Sequence, residues 1–323
     1  MKPLEDFLKP TQMELFTRLR SMYKGKTRIC KNSYILVQGE APVMLVAHLD
    51  TVHHTPVQQI CKTSNGNILM SPQGIGGDDR CGVYGLVAAH EQSQVKPWLL
   101  FTCDEETGGN GANSFCVKYR KGVLPKGLYD LKLIIELDRK GKNDAVYYDC
   151  GNEDFEDYIT KKGFKTASGS FSDISYIAPE LGVAAVNLSS GYYNAHTLHE
   201  YINRKHLNET VKKVVEIISD SVNPDFPKYE YVEDRSWGIW GGWYDDYYTE
   251  RVLSKIPEDI REEYEALLDY YSVDELEDCR AEHGDRYIPM LYESEFGDHA
   301  ALPEKSDGWG GDSDSVKEEP ADE

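Results

Sequence analysis

The sequence predicts a three-layer α/β/α domain built on a central, mostly parallel mixed sheet, followed by an acidic, aromatic-rich C-terminal extension. Three observations carry this. Four short apolar runs each lead into a histidine or carboxylate: Val43–Ala47 into His48-Leu49-Asp50, Trp98–Thr102 into Asp104-Glu105-Glu106, Leu131–Leu137 into Asp138, and Val183–Leu188 through a Gly-Tyr-Tyr-Asn loop to His196. Short apolar runs of this length read as buried strands of a largely parallel sheet. Helical patterns alternate with the runs, which is the signature of a layered α/β domain. The charge is also segregated. Residues 225–323 hold 30 of the 56 acidic and 9 of the 35 basic residues, so the whole formal charge of −21 resides there and residues 1–224 are neutral.

Taken in order, Thr11-Gln12-Met13-Glu14 is a capping-box pattern opening a helix to about Tyr23, with Met13, Leu15, Phe16 and Leu19 as its apolar side. A strand near Tyr34–Gln38 precedes the run ending at His48, and a hairpin-like excursion spans Val57–Met70. A helix from about Arg80 to Glu91 and another over Asn113–Tyr119 separate the next strands. After Asp138, Ala145–Tyr148 reads as a strand, Glu153–Lys162 as a helix, and Asp173 as the cap of a short helix. A helix over Asn208–Ser219, apolar at Val211, Val214, Val215, Ile217 and Ile218, closes the body. The composition shifts at Asn223-Pro224. Three of the five tryptophans fall in Trp237–Trp243 and are followed by Tyr244–Tyr248. Pro257–Tyr271 and Ser272–His283 read as acidic helices, the second opened by a capping box at Ser272 and Glu275. The expected organisation is a catalytic domain at 1–223, an acidic Trp/Tyr-rich module at 224–302 and a disordered acidic tail at 303–323. Folding of Trp237–Tyr248 over the cleft is an alternative to simple packing.

An acidic third repels nucleic acid and anionic membrane and favours a basic protein partner. No run approaches the roughly 18 apolar residues of a membrane span, and MKPLEDFLKP lacks the apolar stretch of a signal peptide. The seven cysteines form no CxxC pair. An odd number scattered through apolar runs reads as reduced small hydrophobes of the cytoplasm.

The chemistry lies in the run ends. In open α/β sheets the site lies beyond the carboxyl ends of the strands, so these runs deliver their polar residues to one rim. His48, Asp78, Glu106, Asp138 and His196 are the candidate ligands for divalent metal, which needs anionic oxygens and neutral imidazoles. Three carboxylates against two Zn²⁺ leave excess positive charge, which lowers the pKa of a bridging water toward about 7. Glu105, beside Glu106, is placed to move its proton. Gly74-Ile75-Gly76-Gly77 lacks the ending of a phosphate loop and reads as backbone freedom beside Asp78.

These segments resemble the co-catalytic zinc exopeptidases, a group that includes peptidase T-like tripeptidases, zinc aminopeptidases, carboxypeptidases and acylases. The resemblance rests on Ala47–Val52, Gly76–Gly82, Phe101–Gly108, Glu136–Asp138 and Asn194–Glu200, and covers roughly residues 40–220. It implies two divalent ions, Zn²⁺ or alternatively Co²⁺ or Mn²⁺, with Asp78 bridging. His48 and Asp138 would complete one site and Glu106 and His196 the other. Asp50 would orient His48. Glu105 would act as general base on the bridging water and then protonate the leaving amine. A cis peptide between Asp78 and Asp79 is also implied. Many relatives insert a lid or dimerisation domain between the counterparts of Asp138 and His196; only 57 residues intervene here, a layout closer to single-domain aminopeptidases.

The expected activity is a metallopeptidase of the aminopeptidase type acting on short peptides. The alternatives are an N-acyl amino acid amidohydrolase on the same core, or a non-catalytic relative binding a partner through residues 225–323. His199 is the rival to His196, disfavoured by the HxxxE pattern. His53 and His54 read as exposed loop residues, Asp79 and Asp104 as caps or supports, and Tyr192 and Tyr193 as either substrate contacts or loop packing.

Overall fold

Apolar runs too short for a helix and free of alternation become central strands because both of their faces are covered. The computed structural model describes residues 2–169 and 171–232 and, further on, 253, 255–268, 271, 276–277, 279–280 and 283–296. Two units are resolved by their internal contacts, residues 1–236 and 237–323.

The first unit starts with α1 (Glu5–Leu8) and α2 (Gln12–Met22). The capping box forms as expected, Thr11 Oγ1 accepting from Glu14 N at 3.4 Å and Glu14 Oε2 from Thr11 N at 3.0 Å. There follow β1 (Thr27–Cys30), β2 (Tyr34–Val37), β3 (Val43–His48), β4 (Cys61–Lys62), β5 (Ile68–Met70), α3 (Gly77–Gln92), β6 (Trp98–Thr102) and α4 (Asn110–Arg120). The chain continues with β7 (Leu133–Arg139), β8 (Asp144–Val146), α5 (Glu153–Lys161), β9 (Lys165–Thr166) and α6 (Ile174–Leu181). It closes with β10 (Ala185–Ser189), β11 (Tyr192–Tyr193), β12 (Tyr201–Asn203) and α7 (Arg204–Ser221).

Eight strands form the main sheet in the order β1-β2-β6-β3-β7-β10-β8-β9. The inner four, β6, β3, β7 and β10, are mutually parallel, and β2 and β8 flank them antiparallel. Alternation along each strand divides the core between two faces. Ile35, Val43, Leu45, Leu99, Phe101, Ile135 and Val186 pack with residues of α2, α3 and α7. Leu36, Met44, Val46, Leu100 and Ile134 pack with residues of α4 and α6. This is the expected three-layer α/β/α architecture with a mixed sheet. A second, antiparallel sheet, β11-β12-β5-β4, joins the excursion before α3 to the segment after β10.

Helix α7 begins at Arg204, earlier than its apolar periodicity suggests, because the Asn203 side chain caps it by accepting from Lys205 N and His206 N. The first unit runs on past the composition shift at 223/224. Tyr229 is buried against Phe155 and Tyr158, and Ala184 N donates to Tyr229 O, so this stretch completes the body. In the second unit, α8 (Arg261–Leu267) and α9 (Tyr287–Phe296) surround Ile256, Ile260, Tyr264, Leu267, Leu276 and Ile288. The first acidic helix is thus shorter than expected. The capping box at Ser272 and Glu275, Trp237–Tyr248 and the tail from 303 lie outside the described residues. Among the described residues no helix is long and apolar enough to cross a membrane.

Candidate metal centre

Parallel pairing of β6, β3 and β7 sets their carboxyl ends on one rim, and the site is assembled there. His48 is the last residue of β3; its Nε2 lies 3.2 Å from Asp78 Oδ1 and 3.5 Å from Asp138 Oδ1. His196 approaches from the loop after β11, with Nε2 3.3 Å from Asp78 Oδ2 and 3.3 Å from Glu106 Oε2. Asp78 therefore offers one oxygen to each histidine. Three groups of side-chain donor atoms each fall within 4.8 Å: His48, Asp78 and Asp138; Asp78, Glu106 and His196; His48, Glu105 and Glu106. All five expected ligands and Glu105 are brought together.

Each loop has a local reason for its path. Asp78 and Asp79 keep non-helical dihedrals at the start of α3, and the peptide between them is cis. Asp79 receives Gly82 N on Oδ1 and His48 N on Oδ2, so it caps the helix proper and ties it to β3. Asp50 does two jobs. Its Oδ1 lies 3.2 Å from His48 Nδ1 and accepts Glu105 N, while Oδ2 accepts Glu106 N at 3.1 Å. It thus sets both the imidazole and the Asp104–Glu106 turn. Asp104 adopts a left-handed φ of 59° and exchanges two hydrogen bonds with the Gln12 side chain.

Asp138 sits where β7 carries one residue more than β10 between paired positions, a bulge that re-aims a side chain toward a site. The Asn187 side chain fills the resulting gap, accepting Asp138 N at 2.8 Å and donating to Asp138 O at 2.9 Å. Ser172 Oγ and Tyr192 OH each lie 3.3 Å from an Asp138 carboxylate oxygen.

The electrostatics are those of an acid cluster that calls for cations. Burial, then the neighbouring Asp78, pushes Asp138 up to about 7. Burial first, moderated by His48 and reinforced by Asp138, pushes Glu105 to about 10. Burial would depress His48, yet Asp138 and Asp50 outweigh it and raise it well above the usual imidazole range. His196, a third exposed, is raised in the same way by Asp78 and Glu106. Asp78 is held low despite its burial by hydrogen bonds to both histidines. Glu106 Oε1 is buried without a hydrogen-bond partner, and oxygen plus imidazole donors form a set suited to Zn²⁺, Co²⁺ or Mn²⁺. The residues fit the implied ions.

Two expectations are corrected. Asp173 does not cap α6: it is itself αR, its side chain makes no cap bond, and it is fully buried, accepting from Thr102 Oγ1. His53 is not an exposed loop residue, its side chain being 9% exposed with Nε2 2.9 Å from Glu200 Oε2. His199 is exposed and outside the cluster, whereas His196 enters it and Glu200, the last residue of the HxxxE pattern, is fully buried. Tyr193 bonds His206 and stacks on Tyr201, a packing role. Asn187, Ser172 and Gln12 were not foreseen. For Asn187 a signal existed, an amide inside the otherwise apolar run Ala185–Leu188.

No family model and no curated protein sequence matches the chain. Solved structures do. Aminopeptidase PepT from Bacillus cereus ATCC 10987 superposes with a TM-score of 0.52 over 68% of this chain and 97% of its own, at 14% identity. A tripeptidase from Staphylococcus aureus subsp. aureus mu50 gives 0.53 over 68% and 96%, at 13% identity. The chain shares their fold.

Proposed function

We propose that this chain is a metal-dependent hydrolase of peptide or amide bonds, an aminopeptidase acting on short peptides with two divalent cations, Zn²⁺ foremost. The observation that carries the reading is Asp78, whose two oxygens each face a different histidine between an Asp138 group and a Glu106 group. His48, Asp138 and one oxygen of Asp78 would hold one ion; Glu106, His196 and the other oxygen would hold the second. When bound, such a pair supplies Lewis acidity toward a carbonyl and acidifies a water. The fold shared with two peptidases points the same way.

The chain's own residues do the rest. Glu105 projects beside His48 without being needed in either ligand group, its Oε2 3.9 Å from His48 Nε2. Burial makes its carboxylate a better proton acceptor than an exposed glutamate. Glu105 takes a proton from the attacking water and returns it to the leaving amine, the general acid–base role. Asp50 keeps His48 in the tautomer that turns Nε2 toward Asp78, since its own oxygen engages Nδ1.

Glu105→Gln tests this directly. The variant should retain the metal content of the parent while hydrolysis of a peptide library falls by about 10²–10⁴-fold. Retention of full activity would remove Glu105 from the chemistry, and absence of bound metal in the parent would end the whole reading. N-acyl amino acids in the same panel decide between peptidase and deacylase.

A further inference from the structure

Resting on that reading, we propose that Glu200 is the positioning residue of the metal centre. One carboxylate fastens together the three segments that carry His48, Asp78 and His196. Oε1 accepts Asp78 N at 2.9 Å; Oε2 accepts Gly76 N at 2.8 Å and lies 2.9 Å from His53 Nε2. His53 belongs to the loop that leaves β3 after His48 and Asp50. Gly76 and Asp78 open α3, and Glu200 stands four residues beyond His196.

The contacts answer a backbone requirement. As one of the first amides of α3, Asp78 N has no acceptor within the helix, and a buried N–H needs one. Glu200 supplies it from a residue that is fully buried and adjoins the strand-paired Tyr201. Space is arranged around it: a Cβ on Gly77 would lie 3.0 Å from Glu200 Oε1 and 2.7 Å from Tyr192 Cβ, and one on Gly74 would lie 2.2 Å from the His53 ring. The location of the Asp78 carboxylate between the two histidines therefore depends on a side chain that touches no ligand donor atom.

Gly76 and Asp78 present backbone N–H groups to different oxygens, so only a group that accepts on both fits. Glu200→Gln keeps the shape but turns an amide N–H₂ toward at least one of these donors in either orientation. Cobalt titration of the full chain, read by visible absorption, reports affinity and coordination without reference to turnover. Glu200→Gln should bind Co²⁺ about 10–100-fold more weakly than the parent, with an altered spectrum, as loss of an orienting partner does at metal sites. His53→Leu, which removes one of the three contacts, should give a smaller loss, and His53→Gln, which keeps a donor, should restore it. A purely structural role would lower the unfolding temperature and leave spectrum and affinity unchanged. If folded Glu200→Gln binds Co²⁺ as the parent does, the proposal is overturned; if it does not fold, parent-like Co²⁺ binding by His53→Leu overturns it. A parent that binds no Co²⁺ overturns both this inference and the proposed function, so the two failures are told apart.

Discussion

Asp50→Asn is the substitution in which the support of the centre can be measured most cleanly. The carboxylate engages three donors with two oxygens: His48 Nδ1 and Glu105 N on Oδ1, Glu106 N on Oδ2. An asparagine has one oxygen. If it stays toward His48 and Glu105, the amide N–H₂ meets Glu106 N; if it flips, two donors are left facing a donor. One orphaned, largely buried N–H costs about 1–3 kcal/mol, and the hydrogen bond to His48 loses its charge assistance. Spent on metal binding, this amounts to about 1.4–2.8 kcal/mol, or 10–100-fold in dissociation constant. Metal-free stability should fall as well, because despite its burial the Asp50 carboxyl is held below its usual range by His48 and by the Glu105 and Glu106 N–H groups. Competition between the protein and a chelating dye for Zn²⁺, run beside thermal unfolding in EDTA, separates the two effects. Parent-like affinity in Asp50→Asn would refute the claim that this side chain orients His48 and the Glu105–Glu106 turn.

Two further outcomes follow from the same geometry. In EDTA, stability should fall as pH rises from 5 to 8. Asp173 (to about 6), Asp138 (to about 7) and Glu105 (to about 10) all titrate above their usual values, chiefly through burial. The folded state then holds protons that the unfolded chain has released above its own carboxylate range of about 4, and loses that advantage as pH climbs. The raised histidines act in the same direction; added Zn²⁺ should reverse the trend, and a melting temperature that rises with pH in EDTA would contradict it. Gly82→Ala should destabilise by about 1–3 kcal/mol or more in urea unfolding, since its Cβ would lie 2.1 Å from Leu137 O and 2.4 Å from the Asp79 carboxylate. A change under about 0.5 kcal/mol, the range of ordinary surface substitutions, would show that α3 can shift away from β7.

What could be read from the sequence was what depends on short-range pattern. The runs at 43–47, 98–102, 131–137 and 183–188 declared themselves because strands covered on both faces admit almost no polar residue. The five candidate ligands were legible because each follows such a run or a glycine-rich turn. Asp173 was misread because its local sequence suits a cap, whereas Thr102, 71 positions earlier in the chain, competes for its carboxylate. His53 was misread because its polar loop suggested solvent, while the hollow at Gly74 takes its ring. Strands β4, β9 and β11, two residues each, are too short for any period. They exist through pairing with β5, β8 and β12.

The amide of Asn187 has a consequence for how the protein reaches its native alignment. It substitutes for a missing rung between β10 and β7, and its two bonds to the Asp138 peptide are available in only one offset of these strands. A slip by a single residue would turn Asn187 toward the opposite face and strand a buried amide among aliphatic side chains. Misalignment is thus penalised beside Asp138, and the placement of that carboxylate is written into strand pairing rather than left to the loops.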